Sequence, residues 1–123
     1  ARAAAAQMMH DLRFAQQLAI SNSRNVTVAM EAQNNRYSLK WQDTGAYMPR
    51  PAGGGNYIVR FGEGDFPNVE MSTTLGGGAL TFDARGRPCN GQQPLLTTAD
   101  VATLPGGLGI RVTPNTGRLE LIE

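Results

Sequence analysis

The residues of this chain that can do covalent or metal chemistry are few and far apart. There is one Cys, Cys89, and one His, His10. A lone thiol between Pro88 and Asn90 has no base near it in sequence to make it a nucleophile and no second Cys for an internal disulfide. One His and one Cys cannot close a zinc site by themselves. Asp43, Glu63, Asp65, Glu70 and Asp83 are acids of the kind that pair for proton transfer, but nothing in their spacing selects two of them. Glu63 and Asp65 lack the third acidic residue that a calcium loop places nearby. The glycine-rich stretches fare no better. Gly62 to Asp65 (GEGD) leads into Phe66 and Pro67 instead of a third Gly and a helix, and Gly53 to Asn56 and Gly76 to Ala79 lack the Lys and Ser or Thr of a phosphate loop. The expectation is a protein with no catalytic residues, no metal, no cofactor and no small-molecule substrate.

Arginine chemistry toward a polyanion is the remaining option. The net charge is +1, divided as seven Lys or Arg against three acids over residues 1–60 and four against seven over residues 61–123. A basic nucleic-acid binder by composition is excluded. A local patch would have to come from Arg85 and Arg87, which flank Gly86, together with Arg111 and Arg118.

The elements that position these groups divide the chain in two. Residues 1–23 contain no Gly or Pro, whereas residues 24–123 hold all 15 Gly and 7 Pro. The first segment reads as one helix in which Ala5, Met8, Leu12, Ala15 and Ala19 share a face at spacings of three and four, flanked by Met9 and Ile20, with Arg2, His10, Arg13 and Gln17 opposite. Ser21 to Asn25 supplies polar residues at which helices stop. Half of the stripe is expected to cover the domain's own sheet. Its first part, rich in Ala, starts abruptly and resembles a cut inside a longer helix, so that Ala5, Met8, Met9 and Leu12 are expected to face other subunits.

After the helix the period changes to two. Val26, Val28 and Met30 alternate with Thr27 and Ala29, Gln33 to Asn35 turn the chain, and Tyr37, Leu39 and Trp41 alternate with Ser38 and Lys40, which predicts a hairpin with Trp41 as a core anchor. A long loop over 43–56 follows. Further strands are expected over 57–61, 68–72, 79–83, 109–113 and 118–122, with 88–107 as a surface loop because Pro94 and Pro105 interrupt it. The whole is a single α+β domain, residues 1–123: an N-terminal α-helix packed on antiparallel β-sheets. Leu39, Trp41, Phe82 and Val112 should be buried beside Leu12 and Ala19.

The stretch from Ala5 to Val28, A-x-x-M-x-x-x-L-R-F-A-x-x-x-A-I-x-x-x-x-x-V-x-V, resembles the GspH/FimT group of type IV pilin-like proteins. The group's helix ends as D-L-x-x-A-R-x-x-A-I before V-x-V, matched here by Asp11, Leu12, Ala15, Ala19, Ile20, Val26 and Val28, with Gln16 where Arg is usual. Leu80 to Gly86 and Gly109 to Leu121 resemble its later strand-and-turn segments. The resemblance implies a non-catalytic minor pilin or pseudopilin of a type IV pilus or type II secretion pseudopilus, methylated at its mature N-terminus. It implies other pilin or pseudopilin subunits as partners, and a single-pass anchor in the bacterial inner membrane ahead of a periplasmic domain. Some FimT-like minor pilins bind DNA in natural transformation through G-R-x-R. Here Gly117, Arg118, Leu119 and Glu120 replace the second Arg with an acid, so DNA contact by Arg85, Arg87, Arg111 and Arg118 is the alternative. A free-standing binding module with an apolar pocket near Tyr47 and Phe66 is a third reading.

Overall fold

The computed structural model describes residues 2–51, 53–64, 66–73, 75, 78–90 and 93–123. Helix α1 runs Arg2–Asn22. It ends where Ser23 turns left-handed (φ 50°) and the Arg24 N–H returns 3.1 Å to the Ala19 carbonyl, closing the last turn. Ala15 and Ala19 are buried on the domain's own sheets, as expected, and so are Ala5, Met8 and Leu12, which were expected to face other subunits.

The first strands are β1 (Val26–Glu31) and β2 (Arg36–Trp41), an antiparallel hairpin in which Val26 faces Trp41 and Val28 faces Leu39. Then come β3 (Ile58–Arg60), β4 (Ala79–Phe82), β5 (Pro88–Asn90) and β6 (Gln93–Pro94). They complete a sheet of order β3-β2-β1-β4-β5-β6, and β7 (Ala99–Leu104), β8 (Leu108–Val112) and β9 (Leu119–Ile122) form a second antiparallel sheet. Helix α1 contacts β1 and β4 of the first and β8 and β9 of the second, so its buried stripe closes the core between them. Met8, Leu12, Val28, Leu39, Leu80, Phe82, Ile110 and Val112 are all fully enclosed there.

Three expectations are corrected. Residues 88–107 are not a loop: they carry β5, β6 and β7. Proline is accommodated because Pro88 begins its strand and Pro94 lies on the outermost strand, where a missing N–H breaks no ladder. Residues 68–72 do not form a strand. Among them Asn68 is left-handed (φ 64°), and only Ser72 pairs, with Thr103 of β7. Trp41 is half-buried at the end of β2, its ring covered by the Arg24 guanidinium at 4.1 Å, while Arg24 also grips Asp43 with two 2.9 Å hydrogen bonds. Leu39, Phe82 and Val112 are buried as expected. Asp65, Gly76 and Gly77, invoked for calcium and phosphate loops, lie outside the described residues.

Candidate functional site

The helix offers the first candidate surface, on a different face from the one the sequence suggests. Ala5, Met8 and Leu12 are enclosed by this chain's own sheets and have no accessible area to give a partner, and Met9 lies half-buried at the margin. The reason is the position of the second sheet: β8 and β9 reach the helix as well as β1 and β4, so the stripe is covered further than one sheet would cover it. The accessible face is Ala3, Ala6, His10, Arg13 and Gln17, spaced at threes and fours so that they line up along the axis.

Within the buried stripe sits one acid. Asp11 has no exposed area, and its carboxylate accepts from Tyr37 Oη on β2 (2.5 Å), from Tyr57 Oη just before β3, and from Gln7 Nε2 one turn earlier (3.1 Å to each oxygen). His10 Nδ1 lies 3.4 Å away. Burial and then the neighbouring carboxylate push the Tyr37 phenol up, and burial with the Asp11 hydrogen bond does the same to Tyr57, so both remain donors across the physiological range. The arrangement satisfies a buried carboxyl group inside an apolar core with hydrogen bonds from neutral groups. It joins the helix to β2 and to the residue that leads into β3. Asp11 itself has no exposed area, while Gln7, His10 and Tyr57 border an open cavity of about 310 Å³. Sequence reading passed over Asp11 although it stands three residues after Met8 and four before Ala15, inside the apolar stripe. A polar residue in that phase signals a buried partner.

The arginines of the DNA alternative come partly together. Gln16 Nε2 donates to the carbonyls of Gly86 (2.8 Å) and Thr116 (3.0 Å), pinning the β4–β5 turn beside the β8–β9 turn. Arg85, Arg87 and Arg118 therefore share one end of the domain. Their charge is partly spent. Arg87 binds Asp83 at 2.7 Å and Arg111 binds Asp100 at 2.9 Å, with Glu120 opposite Arg111 on the next strand. Burial tends to raise the Asp83 carboxyl, but hydrogen bonds from the Arg87 backbone and guanidinium and from the Arg85 N–H outweigh it and hold the group below its ordinary value. Among the described residues only Arg85 and Arg118 of the four make no ion pair.

The remaining chemistry is quiet. Cys89 is buried, and burial and then Asp83 push its thiol up, away from the thiolate. No group of three or more His, Cys, Asp or Glu that could hold a metal occurs among the described residues. No helix among them is long and apolar enough to cross a membrane. Phe66 lines an open cavity of about 320 Å³ with Gln7, Arg50, Arg60 and Glu63, while Tyr47 lies apart under the Lys40 ammonium. Tyr47 is not part of the lining of that cavity.

Known proteins resemble this arrangement. The family model described as "Type II transport protein GspH" matches residues 4–117. Among solved structures, the minor pseudopilin EpsH from the type 2 secretion system of Vibrio cholerae is similar with a TM-score of 0.66 at 19% identity, over 99% of this chain and 95% of that one. The type IV minor pilin FimU of Pseudomonas aeruginosa is similar with a TM-score of 0.64 at 16% identity, over 100% and 93%. No curated protein matches the chain.

Proposed function

The chain belongs to the GspH family of type II transport proteins, and from that premise we propose that it is a non-catalytic, pilin-like minor subunit that assembles with other pilin or pseudopilin subunits in the bacterial cell envelope. The observation that carries the reading is the family match over residues 4–117 together with a helix whose inner face is consumed by the domain and whose outer face is left free. Ala3 and Ala6 let another backbone approach closely, and His10, Arg13 and Gln17 continue the same face with polar contacts. Pilin-like relatives of both kinds, the EpsH pseudopilin and the FimU pilin, share the fold.

The reading extends, on the resemblance to the pilin-like group, to an inner-membrane anchor ahead of the helix in the full-length protein and to methylation of its mature N-terminus. The DNA-binding alternative is not adopted. Two of its four arginines are neutralised by Asp83 and Asp100, and salt would screen what the other two contribute. The test is a charge placed on the free face. Ala6→Asp should leave the isolated domain folded and stop incorporation of the full-length subunit into the filament. Normal incorporation would refute assembly through this face.

A further inference from the structure

Every open β-sheet must deal with the unpaired N–H and C=O groups of its outer strands. Three of the four edges here are guarded. On β3, the Ile58 N–H is bonded to Asn56 O at 2.9 Å and the Ile58 carbonyl accepts from the Arg50 guanidinium. β6 is two residues long and half proline. β7 exchanges two hydrogen bonds with Ser72 at Thr103, at 3.0 and 2.8 Å. Among the described residues β9 has none of these devices: it is four residues long, contains no Pro, and pairs there only with β8.

The phase of its ladder is set by the Thr113 N–H, which donates to Arg118 O at 2.9 Å. Counting by twos, Glu120 and Ile122 exchange their bonds with Arg111 and Gly109, and Leu119 and Leu121 turn their N–H and C=O groups outward. Leu121 is 38% exposed beside that edge. The side-chain rows leading to the edge also stop short. One runs Asp100, Arg111, Glu120 across the three strands, alternating negative, positive, negative, with the first two in contact at 2.9 Å. The rows on either side of it are apolar: Ala99, Val112, Leu119 and Ala102, Ile110, Leu121. Glu123 is engaged by Arg2 of the helix, whereas Glu120 makes no ion pair among the described residues.

We propose that β9 is a docking edge for an extended segment of another subunit, with a basic residue between two apolar ones. A fourth strand added beside Leu119, Glu120 and Leu121 would complete the charge alternation with a cation next to Glu120 and cover Leu121 with an apolar side chain. A second copy of the same edge fits less well. The antiparallel self-pairing that engages both outward residues, Leu119 with Leu121, puts Glu120 opposite Glu120, and like charges directly opposite are destabilising. The identity of the partner as another subunit rests on the family reading. The edge itself is tested without it.

The probe is a capped pentapeptide, Thr-Val-Arg-Val-Thr, titrated into the isotope-labelled chain, with a Thr-Val-Glu-Val-Thr peptide as control. Saturable amide shifts should centre on Leu119 and Leu121, and their hydrogen exchange should slow on binding. The Glu peptide should bind about tenfold more weakly, since an attractive cross-strand pair becomes a repulsive one. Leu121→Pro should abolish binding while leaving the melting temperature nearly unchanged, because that N–H is not part of the β8 ladder. Glu120→Lys should reverse the peptide preference. Absence of a saturable change at β9, equal binding of the two peptides, or unaltered binding to Leu121→Pro would each overturn the proposal, and none of these results bears on assembly through the helix.

Discussion

Gln16 on helix α1 donates its side-chain amide to the carbonyl of Gly86, 2.8 Å away and 70 positions later in the chain. The same amide reaches Thr116 O at 3.0 Å, so one polar side chain of the helix fastens the turns of both sheets. Gly117 completes the contact. Its φ is +68°, and a Cβ there would stand 2.5 Å from Gln16 Nε2 and 2.7 Å from Gly86 O. Gln16→Ala should cost about 1 kcal/mol, since water replaces part of what is lost at this half-exposed site. Gly117→Ala should cost at least about 2 kcal/mol, combining left-handed strain with a clash against backbone. Chemical denaturation of the two variants checks the order.

The buried stripe and the free face of α1 should respond oppositely to charge. Met8→Asp should unfold the domain or lower its melting temperature severely, because it buries an unpaired carboxylate in the core. Ala6→Asp should stay within about 0.5 kcal/mol of the parent. Phe82→Ala, at a fully enclosed site, should cost on the order of 3 to 5 kcal/mol.

Asp11 and Tyr37 should be strongly coupled. Asp11→Ala leaves two buried phenols without their acceptor and should cost at least about 2 kcal/mol, while Tyr37→Phe should cost about 1.5 to 3 kcal/mol. A double-mutant cycle should return a coupling of about 0.5 to 3 kcal/mol. Additive losses would mean that the two groups do not interact.

Acid should weaken the joint turns through Asp83. Its carboxyl lies below the ordinary value in the folded chain, so the folded state binds fewer protons there than the unfolded one and stability rises with pH across that window. The contribution is in full force above about pH 4, the ordinary Asp range, and is lost as pH falls through the lowered folded value. Carboxyl-carbon NMR titration should find Asp83 titrating below that range. Asp83→Asn should flatten this part of the acid-stability curve.

Periodicity carried most of the architecture. The α1 stripe, the β1–β2 hairpin and the buried phase of Leu39, Phe82 and Val112 follow from spacings of 3.6 and 2, because each is decided by neighbours in sequence. The strands β5 to β7 were hidden by Pro94 and Pro105: Pro105 falls just beyond the end of β7, and the cost of Pro94 depends on whether its strand is an edge, which is known only once the sheet is assembled. Trp41 occupies the apolar phase yet ends its strand, where it packs on the margin of the core and Arg24 covers its other side. The Asp11 cluster depends on Tyr37 and Tyr57, 26 and 46 positions away, which no local pattern connects. The stripe's shared face and the burial of its second half follow from spacing, whereas the burial of Ala5, Met8 and Leu12 does not, because the reach of β8 and β9 over the helix is a tertiary fact.

The central claim, assembly through the outer face of α1, is tested most directly by placing a photo-crosslinking amino acid at single helix positions of the full-length subunit in cells. The free face predicts adducts with other filament subunits from Ala6, His10 and Arg13, and none from Leu12 or Ala15, which the domain itself encloses. Adducts from the enclosed positions, or none from the free face in cells that build the filament, would contradict it.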